Sequence, residues 1–184
     1  TKYMRTSIGL FYSGNSGQRF TYLVNGDLNS DGRFGNDLMY VPANTSEINF
    51  VDLLNRDNTV RFTAAQQAAA FEEYINNDKY LSKRRGQYTE RNGSSTPWEH
   101  LLDLRIAQDF FIIKGENRHT LQLTFDIFNL TNLLNRDWGR QYAVNNQAYT
   151  ILTTVNRSGG TEKGYNFTPG QTPWALNFAS RFQG

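Results

Sequence analysis

Asp27-x-Asn29-x-Asp31-Gly32 has the spacing of a calcium-binding loop. Oxygen-bearing side chains stand at the first, third and fifth positions, and a glycine follows that permits a sharp turn. The seventh position, Arg33, would contribute its backbone carbonyl. An EF-hand would end on a bidentate Glu at the twelfth position, where this chain has Leu38. Asn36 and Asp37 are the residues placed to close the shell instead. The spacing therefore predicts a structural Ca2+ held by Asp27, Asn29, Asp31, Arg33, Asn36 and Asp37. The competing expectation is an Asn/Asp-rich turn that satisfies its own backbone with side-chain hydrogen bonds.

Other reactive residue types offer less. His100 and His119 fall near the starts of separate extended segments, and neither comes with a nucleophile-elbow motif, so no catalytic site is expected. Asp103, Arg105, Asp109 and Asp126 alternate with apolar residues and read as the polar face of paired strands. Lys83-Arg84-Arg85 is the tightest basic run and lacks the aromatic module of a nucleic-acid binder, so solvent or an anionic surface is its expected contact. The sequons at Asn44, Asn92, Asn129 and Asn166 read as ordinary polar loop residues.

The elements that must position these residues are strands. Leu102, Leu104, Ile106, Phe110 and Ile112 share one face of a segment over about 99–112, opposite Asp103, Arg105, Ala107 and Asp109. After the polar turn Lys114–Arg118, Leu121, Leu123, Phe125 and Ile127 alternate with Gln122, Thr124 and Asp126 over about 119–130. Met4, Ile8, Leu10 and Tyr12 repeat the pattern over about 3–12. Phe20, Tyr22 and Val24 do so over about 17–24 after the Ser13–Gly17 turn, and Trp174, Leu176, Phe178 and Phe182 over about 173–182. Strands of about ten residues are long enough to cross an outer membrane when tilted. Long connections over about 25–97 and 131–172 separate them. The first should hold a helix over Ala64–Asn76, with Thr63 as N-cap and Gln66 completing a capping box. The second should hold an extended stretch over Tyr149–Val155 and a turn over Asn156–Gly160.

Composition fits this reading. The 184 residues are 38% hydrophobic and 14% aromatic, yet mean hydropathy is only −0.63 because Asn, Thr, Gln and Ser dilute the apolar positions. No run approaches the roughly 18 apolar residues of a spanning helix, so a membrane role would have to be built from strands. With no Cys, disulfide frameworks, thiolate metal sites and cysteine nucleophiles drop out. Nineteen Lys and Arg against 17 Asp and Glu give a net charge of +2 with no basic block, and no nucleic-acid partner is expected. The start at Thr1–Arg5 already reads as mid-strand and lacks the charged and apolar regions of a signal peptide. The chain is therefore expected to continue from a longer protein upstream.

Several segments resemble one family. Asn25-Gly26-Asp27-Leu28-Asn29-Ser30-Asp31-Gly32, continuing into Asn36-Asp37-Leu38-Met39-Tyr40-Val41-Pro42, resembles a loop of Oar-like TonB-dependent outer-membrane receptors of Bacteroidota. Thr96-Pro97-Trp98-Glu99-His100 and Phe125-Asp126-Ile127-Phe128-Asn129-Leu130-Thr131-Asn132 are similar to later strands of that family, and the aromatic Phe182 to its C-terminal assembly signal, although Gln183 and Gly184 follow it. The resemblance implies an all-β, antiparallel transmembrane barrel segment, about five strands of a roughly 22-stranded barrel. It also implies a location in the bacterial outer membrane and a role in active import of a large or scarce nutrient. Its partners would be the remaining strands and plug of the same receptor, the TonB complex through the plug, outer-membrane lipids and lipopolysaccharide, and a surface lipoprotein. Short turns in such barrels are periplasmic and long loops extracellular. Both the Ser13–Gly17 and Lys114–Arg118 turns would then be periplasmic, with 25–97 and 131–172 outside. The alternative from a different class is a soluble or surface-exposed β-rich module that binds or adheres through the calcium loop.

Overall fold

A computed structural model describes residues 3–156, 163–172 and 175–176. Its main elements are β1 (Met4–Asn15), β2 (Arg19–Asn25), β3 (Asp37–Leu38), α1 (Ala64–Asn77), β4 (Ser94–Ser95), β5 (Glu99–Lys114), β6 (Asn117–Ile127), α2 (Leu130–Leu134), β7 (Ala148–Asn156) and β8 (Lys163–Asn166). The described chain is mostly strand, in predominantly antiparallel ladders that do not close into a barrel. It divides into two compact units: Thr1–Gly17 with Pro97–Ala143 and Leu176–Gly184, and Gln18–Thr96 with Val144–Ala175.

The first unit is a three-stranded antiparallel sheet ordered β1-β5-β6. Alternating apolar and polar residues leave each strand two dissimilar faces, and a two-residue loop, Gly115-Glu116, joins β5 to β6. Gly115 sits at φ +63, the left-handed position that a tight hairpin turn requires of its first residue. Register runs from Lys114↔Asn117 to Leu104↔Ile127 on one side of β5 and from Phe110↔Met4 to Glu99↔Asn15 on the other. The hairpin and its facing are as expected, with β6 ending at Ile127 rather than near residue 130. There Asn129, at φ 54, turns the chain into α2, and its N–H donates to the Asp103 carboxylate at 2.8 Å.

Two expectations are corrected by the pairing. β1 runs antiparallel to β5, so Ser13–Gly17 lies beside Glu99, at the opposite end of the sheet from Gly115. The two short turns therefore cannot face the same side. The strand expected over 17–24 does form, as β2, but it belongs to the second unit and hydrogen-bonds to other partners.

In that second unit β2 is the central strand. All five residues from Phe20 to Val24 are buried, the continuous burial typical of a strand covered on both faces. It pairs in parallel with β7 (Thr21↔Ala148 to Asn25↔Thr153, with a bulge between Thr150 and Leu152). It pairs antiparallel with β3 and β4, and β7 pairs with β8. The segments expected as separate loops over 25–97 and 131–172 thus share a core. Phe20, Tyr22, Val24, Phe50, Phe71, Ile151, Leu152 and Phe167 pack in it together.

Helix α1 begins as its sequence predicts: the Thr63 hydroxyl accepts from Gln66 N, and Gln66 Oε1 accepts from Thr63 N at 2.9 Å. Its inward face carries Phe71, whose ring lies 5.7 Å from Phe50 and 5.2 Å from Phe167. Fully buried Gln67 ties the unit together. Its Nε2 donates to the carbonyls of Val51 (2.7 Å) and Phe62 (3.1 Å), and its Oε1 accepts from Phe167 N (2.9 Å). The terminal strand expected over 173–182 and the turn over Asn156–Gly160 lie largely outside the described residues; within the strand, Ala175–Leu176 is extended.

Candidate functional site

The residues of the calcium-type motif occupy the loop that carries the chain from β2 to β3. The pairs Val24↔Asp37 and Leu23↔Leu38 close its base, and Gly35 N donates to Gly26 O. Within it the acidic side chains turn inward onto backbone amides. Asp27 accepts from Asp31 N at 3.1 Å and from Gly32 N at 2.9 Å. Asn29 Oδ1 accepts from Asp31 N at 3.0 Å, and Asp31 Oδ1 accepts from Arg33 N at 2.8 Å. Asp37 Oδ2 accepts from Leu28 N at 2.7 Å. Gly32 at φ +81 permits the reversal that aims these amides at Asp27.

All six expected residues are therefore brought into one loop, by the Asx-type bonding that such sequences favour. The Arg33 N–H holds the Asp31 carboxyl below its ordinary value, with the amides of Asn36 and Asn29 adding to the effect. Among the described residues no three His, Cys, Asp or Glu side chains converge as metal ligands. A cation here would thus need the neutral donors Asn29, Asn36 and the Arg33 carbonyl to complete a shell begun by the Asp27 and Asp31 carboxylates. One observation fits that role: Asn36 donates through Nδ2 to Asp31 (3.2 Å) while its buried Oδ1 meets no donor among the described residues. A buried acceptor left unsatisfied costs about 1–3 kcal/mol, which a bound cation would relieve.

The sheet of the first unit is the second candidate, as a surface with two chemistries. On one face Ile8, Ile106 and Phe125 stand in one row, and Leu10, Leu104 and Ile127 in the next. Ile8 is 70% exposed, Leu123 58% and Phe125 61%. The polar break in this face is Thr6 beside Gln108, which bond to each other at 2.6 Å. At the Glu99 end the face finishes in aromatic and imidazole rings: the Tyr12 hydroxyl lies 2.7 Å from His100 Nδ1, and Trp98 stacks on His100. On the opposite face charges pair across strands. Arg5 meets Asp109 at 2.8 Å, Gln122 donates to the same carboxylate at 2.7 Å, and Arg105 binds Asp126 through two bonds of 2.6 and 3.0 Å. Asp109 is only 3% exposed, because the strands on both sides cover it.

His100 and His119 lie near opposite ends of this sheet, beside Gly14 and Ile112. In the basic run, Arg85 forks onto Glu72 and Arg84 pairs with Glu90 at 2.6 Å, so both serve the second unit's own ion pairs. Sequence reasoning missed Asp103 as the acceptor that stops β6, because its partner is the backbone of a residue 26 positions away. The chain matches no protein-family model, no curated protein and no solved structure.

Proposed function

We propose that this chain is part of the wall and outer loops of an Oar-like TonB-dependent transporter, acting in nutrient import across the bacterial outer membrane. The observation that carries the reading is the exposed apolar face of the β1-β5-β6 sheet, backed by a charge-paired face. From Leu102 to Ile112 that face runs about ten residues, on the order of 33 Å along the strand. At a strand tilt of roughly 40° the rise is about 25 Å, the height of the apolar band of outer-membrane barrels. Tyr12 and Trp98 fall where the aromatic girdle of such a band begins. With the short Gly115-Glu116 turn periplasmic, the Ser13–Gly17 end of the sheet is extracellular. The Arg5–Asp109 and Arg105–Asp126 pairs then face the barrel interior, where a plug or a passing nutrient would meet them.

The loop from Asp27 to Asp37 is proposed to hold a structural Ca2+ on the outer side. A hard divalent cation suits it, since the donors are all oxygens and the loop has no apolar core of its own. The second unit, with its own packed core, favours a further reading in which the chain is a surface-exposed calcium-dependent binding module. Detergent separates the two. The purified chain should precipitate without detergent and fold into micelles or vesicles with the β-signature in circular dichroism. A stable water-soluble monomer would overturn the transmembrane proposal and leave the binding module standing.

A further inference from the structure

In the second unit the side chains of β2 alternate between two environments. Phe20, Tyr22 and Val24 enter the shared core; Thr21 and Leu23, also buried, do not belong to it. What covers them is a set of three connections: the Asp27 loop at Gly35-Asn36, the turn at Arg91-Asn92, and Asn146-Gln147 just before β7. These do not pack flush against β2, and a cavity of about 380 Å³ remains. That lies within the range of small-molecule pockets, about 300–1,000 Å³.

The chemistry of the lining is selective. Asn92, Asn146 and Gln147 present side-chain amides, and Arg91 a guanidinium, none of which hydrogen-bonds through its side chain to the described residues. Among the described residues no carboxylate lines the space. The positions are also strained: Asn92, Asn146 and Gln147 sit at φ 54, 53 and 55, half of the non-glycine residues of positive φ in the described chain. Held strain clusters where a surface must present groups in a set arrangement. A primary amide offers a donor and an acceptor side by side, as a vicinal diol does, so the two pair through two bonds. An anion would meet several amide oxygens for one guanidinium. Leu23 supplies an apolar floor for a ring's C–H face, and Phe34, the residue before Gly35, is 76% exposed beside it in the sequence.

We propose that this cavity binds a neutral polyhydroxylated ligand, the terminal units of an oligosaccharide, through the amides of Asn92, Asn146 and Gln147. The site does not require that the sheet of the first unit lie in lipid. The test is calorimetric titration of the full chain, in a detergent without a sugar headgroup, with maltohexaose, cellohexaose and mannohexaose. Trigalacturonate and hexaglycine test an anionic sugar and a peptide. At least one neutral hexasaccharide should bind, and Asn92→Gly and Asn146→Gly should each weaken it about three- to tenfold, the worth of a lost hydrogen bond. Glycine keeps the left-handed backbone, so folding is retained. Asn58→Gly, an exposed residue at φ 64 outside the cavity, should change nothing. Failure of all three sugars to bind, equal affinity in the cavity variants, or preference for trigalacturonate or hexaglycine would each overturn the proposal. Sugar binding by a chain that needs no detergent would keep this site while removing the membrane reading.

Discussion

A single arginine moved along the apolar face should report depth. The band from Leu102 to Ile112 has its midpoint near Ile106 to Gln108, whose partners on β6 are Phe125 and Leu123. Leu123 thus lies within about one residue, roughly 3 Å along the strand, of the centre. An Arg at the midplane of a barrel's lipid face costs about 2–4 kcal/mol, and near the interface about 0–1. Leu123→Arg should therefore lose the most, and Leu104→Arg less, since it lies two to three residues off centre. Leu102→Arg, in the row of Tyr12, should lose the least. The control is the neighbouring Thr124→Arg, which faces the side of Arg105 and Asp126 and should cost under about 1 kcal/mol. The assay is guanidinium unfolding of the chain in phospholipid vesicles, followed by tryptophan fluorescence. Equal losses at Leu123 and Thr124, or a flat profile from Leu102 to Leu123, would refute the assignment of faces.

Other expectations concern the second unit and its loop. Gln67→Leu keeps the volume but leaves the Phe62 carbonyl and the Phe167 N–H without their Gln67 partner; it should cost about 2–5 kcal/mol in thermal unfolding, and a loss under about 1 would refute the tie. Burial, and then Tyr74 and Asp78, raise the Tyr22 phenol above its ordinary 10.0, so the folded state resists its ionisation. Its contribution is fully present below pH 10 and is lost as pH rises beyond it, once the unfolded chain can ionise. Tyr22→Phe should flatten that alkaline slope, and an unchanged slope would assign it to other groups. Calorimetric titration should show calcium binding that Asp27→Ala and Asp31→Ala abolish and Asn36→Ala weakens; identical isotherms would remove the ion from the loop.

What could be read from the sequence was what neighbouring residues decide. The β5-β6 hairpin announces itself through period-two alternation around a glycine turn, and α1 through the Thr63–Gln66 capping box, because both are settled within a few residues. Partners distant in the chain are not. β1 joins β5 across residues 18–96, the first part of the second unit, and no local pattern distinguishes that from pairing with β2. β2 itself alternates aromatic residues with Thr21 and Leu23, which suggests one wet face. Burial of both faces comes from connections whose arrival over the strand no periodicity encodes. The Asp27 loop was legible as a spacing of donors, whereas the amide-lined cavity is assembled from three segments and has no motif.

The parallel pairing of β2 with β7 also sets an order of events. Thr21 finds its ladder partner only once Ala148 exists, so a chain emerging from its N-terminus carries an unfinished second unit while β5 and β6 are being made. During that interval the aromatic residues of β2 and the inner face of α1 lack part of their cover, and such exposed segments are where aggregation starts. Maturation of this protein should therefore depend on holdase chaperones until β7 arrives. Truncation before Ala148 should be more damaging to residues 18–96 than their own content suggests.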